Sequence, residues 1–152
     1  MDILYGIHEY FDILNIGEKI AISDAEDITM RGNIILPEDY RKIITSFGVP
    51  CLRNKKISSP LISFWDKAQI FDWMDMFPFF QEDLPQAFPF ADDAGDYIFY
   101  YGAGKSGMGL YIVDGGAGDY REDAIMFSNS FENLFLVPEI FRVLNQKYRF
   151  GM

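Results

Sequence analysis

Residues 97–114 read YIFYYGAGKSGMGLYIVD. Two runs rich in β-favouring residues, 97–101 and 109–114, flank a glycine-rich connection, which predicts two antiparallel neighbours in one sheet. The connection also holds Gly104-Lys105-Ser106, the closing residues of a Walker-type phosphate loop, GxxxxGK followed by Ser or Thr. Such a loop works between a strand and a helix, because its backbone N–H groups wrap the phosphates while the helix N-terminus adds its dipole. Here Phe99 stands in the place of the first glycine, and Gly107 and Gly109 lie where a helix would have to begin. The stretch therefore reads as a hairpin turn. A nucleotide-using enzyme built on residues 102–109 would instead show stabilisation by nucleotide that Lys105→Ala abolishes.

Working outward, AIMF (124–127) supplies a third strand. Upstream, FPFFQEDLPQAFPF (77–90) is punctuated by prolines and is expected to drape aromatics over the body without regular structure. LISFW (61–65) reads as a short strand, and DKAQIFDWMDM (66–76) as a helix opened by Asp66. In IILPEDYRKIITSFG (34–48), Pro37 suits the first helical position and Glu38 and Asp39 complement the helix dipole. Leu36, Tyr40, Ile43, Ile44 and Phe47 form its buried stripe, Gly48 its left-handed exit, and Pro50 forbids continuation.

A capping box at Ser23–Glu26 predicts a short helix ending near Gly32. Residues 2–14 place Ile3, Leu4, Ile7, Phe11 and Leu14 on one helical stripe that Gly17 ends. At the far end, Ser130 caps a helix through Phe131, Leu134 and Phe135, and Pro138 either kinks it or starts a second one carrying Ile140, Phe141 and Leu144. Helices from the N- and C-terminal parts around a central, mainly antiparallel sheet make an α+β fold, expected as a single domain over residues 1–152.

The chain has 152 residues, 49% of them apolar, enough to bury a core without disulfides or metals. Fifteen Phe, nine Tyr and two Trp can fill that core and leave rings for a partner. A formal charge of −10 repels nucleic acid and anionic membranes and attracts a basic protein; the alternative is that the acidity only confers solubility. Cys51 stands alone, so it forms no intramolecular disulfide or cysteine-based zinc site and reads as a small apolar residue. The first residues lack the pattern of a secretory signal and no apolar run approaches membrane-spanning length, so a cytoplasmic protein is expected.

Other chemical motifs fail on spacing. GGAGD (115–119) lacks one residue of the calcium-binding glycine-rich repeat and stands alone. Asp92, Asp93 and Asp96 miss the one-three-five ligand pattern of the helical calcium loop and read as solvated acids at a turn. His8 is the only histidine, and its setting on an apolar helix reads as packing or surface. No nucleophile, base and orienter come together, and no catalytic residue, cofactor or metal is assigned.

Three segments taken in order, LPEDYRKIITSFG (36–48), FPFADDAGDYIFYY (88–101) and SFENLF (130–135), resemble the SUKH superfamily, in its branch named for the fungal cell-wall-synthesis regulator. The resemblance spans about two-thirds of the chain. Phe47 departs from the Asn usual before the helix-ending glycine, one extra residue separates Gly32 from Leu36-Pro37, and an aromatic, Tyr100 or Tyr101, replaces the acid usual at the first strand's end. The shared residues are scaffold by type: Leu36, Tyr40, Phe88, Phe90 and Phe131 pack helices on the sheet, Pro37 and Gly48 bound a helix, Pro89 fixes an extended segment, and Gly95 with Asp96 shapes the turn before the strand.

The resemblance implies a non-catalytic binding protein. Bacterial members are mostly immunity proteins that neutralise a toxin domain, often a nuclease, and the fungal members are regulatory scaffolds of wall synthesis or signalling. An acidic chain suits a basic toxin groove. The contact surface is expected among Asp92, Asp93, Asp96, Asp119, Glu122 and Asp123, with Tyr101 or Tyr120 as aromatic anchors.

Overall fold

The hairpin at 97–114 closes on Lys105 and Ser106 and keeps one register throughout, from Tyr97 opposite Asp114 to Gly104 opposite Gly107. Its glycines answer to packing. A Cβ on Gly102 would lie 2.4 Å from the Ala87 Cβ on the neighbouring strand, and one on Gly104 would lie 2.5 Å from the Tyr111 ring. That tyrosine locks the turn: its hydroxyl accepts from the Ser106 N–H at 2.9 Å and donates to the Gly107 carbonyl at 2.6 Å. Gly107 has φ of 99°, where a side chain would be strained. Lys105 Nζ donates to the Glu122 carbonyl at 2.8 Å, and a strand follows where a phosphate loop would need a helix.

The computed structural model describes residues 2–150. Strands β1 (Phe11–Gly17), β2 (Val49–Asn54), β3 (Ile62–Phe64), β4 (Ala87–Asp92), β5 (Tyr97–Gly104), β6 (Gly107–Asp114) and β7 (Ile125–Ser128) form one antiparallel sheet in chain order. The helices are α1 (Ile3–Tyr10), α2 (Ile22–Gly32), α3 (Glu38–Lys42), α4 (Lys67–Met76), α5 (Phe79–Asp83), α6 (Phe131–Leu136) and α7 (Pro138–Phe150), with a π-helical turn at Ile43–Phe47 continuing α3. The architecture is α+β.

Alternation along β5 sends neighbouring side chains to opposite faces. Phe99 meets Phe90 and Phe127, whereas Tyr100 meets Phe80 and lies parallel to Tyr111 at 4.9 Å. The first face holds the densest aromatic cluster, in which Tyr40 of α3 lies 5.0 Å from Phe88, 5.1 Å from Phe131, 6.1 Å from Phe64 and 6.2 Å from Phe90. On the second, Trp73 of α4 packs on Phe80 and Tyr120. Leu36, Tyr40, Phe88, Phe90 and Phe131 are all buried.

Several local expectations are corrected. Residues 2–14 are not one helix: α1 stops at Tyr10, and Phe11 to Gly17 pair with β2, because the backbone of Val49–Asn54 offers a ladder that a helical stripe cannot reveal. The Pro-punctuated run 77–90 holds α5 and most of β4, with Pro89 inside the strand at an irregularity in register between Pro89 and Ala91. Ser23 lies within α2, whose N-cap Ala21 makes no side-chain bond, so the capping box is not formed. Pro37 precedes the first helical residue of α3, and Gly48 has φ 137° and ψ −163°, a glycine region outside the left-handed helical one.

Other signals act as read. The Asp66 carboxylate accepts from the Gln69 N–H at 2.8 Å while Gln69 Oε1 accepts from the Asp66 N–H at 2.9 Å, closing a capping box on α4. Ser130 Oγ accepts from the Asn133 N–H at 3.0 Å, and of the two alternatives open at Pro138 the chain takes the second, a new helix beginning there.

Candidate partner-binding site

The turn between β4 and β5 is built by two aspartates. Asp92 accepts from Trp65 Nε1 at 2.7 Å and from the Ala94 N–H at 2.9 Å. Asp93 accepts from the Gly95 N–H at 2.9 Å and the Tyr97 N–H at 3.1 Å. These bonds give Asp93 the turn-shaping role expected of Asp96, and the positive φ of this turn is at Ala94, at 65°, and not at Gly95. Asp96 is exposed and contributes its carbonyl, which accepts from the Gly115 N–H at 2.8 Å.

That last bond joins the β4–β5 turn to the connection after β6, so acids from two loops meet at one end of the sheet. Asp93, Asp96 and Asp114 all act on the Tyr97 hydroxyl, which burial first and then these carboxylates keep from ionising. Tyr148 of α7 packs edge-on against Tyr97 at 5.2 Å. Burial, then its hydrogen bond to Asp93, pushes its hydroxyl up to about 12. A cleft of about 270 Å³ opens here, lined by Tyr97, Asp114, Asp123, Lys147 and Tyr148 among others. It presents carboxylates beside two protonated phenols, a surface suited to lysine and arginine side chains.

The remaining sequence-predicted residues divide. Asp119 accepts from the Arg121 and Glu122 N–H groups, both at 3.0 Å, and shapes its own turn, while Asp123 accepts from the Asp119 N–H at 3.3 Å. Glu122 is exposed. Tyr120 is not an anchor: it is 3% exposed, its N–H donates to Asp83 at 3.0 Å and its hydroxyl to the Gly115 carbonyl at 2.6 Å. Tyr101 is half-buried on Phe88 and Phe131 and lies away from the acids, in a groove between the end of α2 and the β4–β6 strands.

Sequence reasoning missed Asp114, Tyr97 and Tyr148. A hairpin turning on Lys105 and Ser106 places Asp114 opposite Tyr97 by counting alone, so that residue was within reach. Tyr148 arrives only through the packing of α7.

A second acidic group reaches the Tyr101 groove through Glu38, which lines it. Burial raises the pKa of Asp39, and the Glu132 and Glu38 carboxylates raise it further, with Lys42 opposing. The folded protein thus holds this proton more tightly than the unfolded chain, and stability is lost as pH rises from the ordinary value of 3.8 through the raised one. Asp39→Asn is expected to match the native protein in acid and to exceed it at neutral pH in urea unfolding. Equal midpoints at neutral pH would show that the crowding carries no cost.

Among the described residues no three His, Cys, Asp or Glu side chains form a group able to hold a metal ion, and no helix is long and apolar enough to cross a membrane. No protein-family model and no curated protein sequence matches the chain.

Proposed function

We propose that this protein is a non-catalytic binding protein of the immunity type, which neutralises a basic toxin domain in the cytoplasm by direct contact. The observation that carries the reading is the convergence of Asp93, Asp96, Asp114 and Asp123 around Tyr97 and Tyr148 at one end of the sheet. Carboxylates held on a rigid frame steer a cationic partner and fix its register, the one lysine of the cleft wall, Lys147, is tied to the Met126 carbonyl, and a protein carrying −10 adds long-range attraction. The family resemblance in the 36–48, 88–101 and 130–135 segments supports the same reading.

The test is capture of partners from native lysate at low and moderate salt, with the native protein and an Asp96→Lys, Asp123→Lys double variant. Neither carboxylate is a principal tie of the fold: Asp96 is exposed, and Asp123 makes one long bond at 3.3 Å. One stoichiometric basic partner is expected, released as salt rises and held about tenfold or more weakly by the variant. Retention indifferent to both salt and charge reversal would sink the reading. Recovery of several wall-synthesis or signalling proteins would favour a regulatory scaffold instead.

A further inference from the structure

Building on the binding-protein reading, we propose that the groove beside Tyr101 is the docking site for an apolar side chain of a cationic polypeptide segment, whose flanking lysines or arginines meet Glu38, Asp39 and Glu132. The groove encloses about 870 Å³ between the C-terminal end of α2 with the residues after it and the β4–β6 strands. It is lined by Ile35, 86% exposed, Met30, 80% exposed, and Met108, 47% exposed, with Tyr101 among its other walls. Of the exposed large hydrophobic residues among those described, Ile35 and Met30 are the two most exposed. Apolar side chains gathered at one concave site mark a contact surface, and methionine adapts to varied partners.

The walls are fixed before any partner arrives. Asn33 ends α2 in the left-handed region, at φ 52°, with its N–H on the Met30 carbonyl at 3.3 Å, and the Ile34 N–H reaches the Thr29 carbonyl at 3.2 Å. Opposite, the Ala103 N–H donates to the Gln86 carbonyl at 2.9 Å. Glu38 is the only ionisable acid or base among the groove-lining residues apart from the Tyr101 phenol. Beside it Asp39 is crowded by Glu132 and Glu38, and Lys42, the cation acting on it, is already paired with Asp2 at 2.9 Å. An added cation relieves that crowding. A second copy of the chain would bring another −10 and be repelled, so the complementary occupant is a basic segment with an apolar anchor.

The experiment uses the whole protein labelled with ¹³C at the methionine methyls, where Met30 and Met108 report on the groove and buried Met74 serves as control. Three synthetic peptides of one length are titrated: one alternating lysine with leucine and phenylalanine, one with serine for the apolar residues, and one with glutamate for lysine. The first is expected to shift the Met30 and Met108 methyls and leave Met74 in place, with both other peptides and the Ile35→Lys variant binding roughly tenfold or more weakly. Unmoved Met30 and Met108 methyls, or equal binding of the glutamate peptide, would overturn the proposal. So would shifts produced by raising the protein concentration alone, which would put a second copy in the groove. The two readings fail separately: a basic partner from lysate that binds Ile35→Lys as tightly as the native protein leaves the binding-protein reading standing and removes the groove from it.

Discussion

Replacing Tyr40 by alanine is expected to cost about 3–5 kcal/mol, a large part of the stability of a typical domain. Its ring is fully buried and touches Phe64, Phe88, Phe90 and Phe131, which come from strands β3 and β4 and helix α6, so truncation opens a cavity where three distant parts of the chain meet. The rings around it are themselves packed, Phe90 on Phe131 at 4.8 Å, and cannot all move in to fill the space. The hydroxyl has the opposite sign. Tyr40 Oη is buried without a hydrogen-bond partner, and burial pushes its pKa well up. Tyr40→Phe keeps the ring and removes a desolvated polar group, so it is expected to be neutral or to stabilise by up to about 1 kcal/mol. Urea unfolding of the pair measures both effects. A loss above about 1 kcal/mol for Tyr40→Phe would mean that the hydroxyl is bonded to a buried water, and the sign argument would fall.

Gly102→Ala is expected to destabilise by about 2–3 kcal/mol although it adds a single methyl group. The new Cβ would meet the Gln86 carbonyl oxygen at 2.5 Å and the Ala87 Cα at 2.6 Å, both backbone atoms of the adjoining strand segment. Backbone in a paired ladder cannot step aside as the end of a flexible side chain can, so β4 and β5 must separate where Ala87 pairs with Gly102. Replacing glycine by alanine also restricts the unfolded chain and by itself favours folding by about 0.4–1 kcal/mol. The clash outweighs it. Gly118→Ala isolates the smaller term, because its Cβ would meet nothing within 4 Å and its φ is not positive. Thermal unfolding of the two variants should therefore move in opposite directions, and a neutral Gly102→Ala would show that the strands part at little cost.

The acidic end and the groove differ in how far they were legible. The aspartates of 92–96 were visible as candidates, yet which of them is free and which holds the turn depended on the backbone that each faces: Asp93 accepts two N–H groups, whereas Asp96 projects from the turn. Tyr101 and Tyr120 look alike in the sequence as aromatics near acids. One lines an open groove and the other is sealed beneath Trp73 and Phe80, because the residues after β6 fold back across the second face of the sheet. The groove itself draws on residues 29–38, 86, 101 and 108, and no single run announces it.

Elements whose causes lie within a few residues could be read from the chain alone: the 97–114 hairpin, the capped helix after Asp66 and the helix start at Ser130, whereas Pro138 left a kink and a new helix both open. Tertiary structure alone decided that Phe11–Gly17 is a strand, that Pro89 lies in a central one, that Tyr120 is buried and that the acids and Tyr101 form two separate surfaces. The reason is the range of the forces. Caps, turns and side-chain periodicity act through neighbouring residues, whereas strand pairing and burial depend on partners dozens of positions away, such as Asn54 for Phe11 and Trp73 for Tyr120.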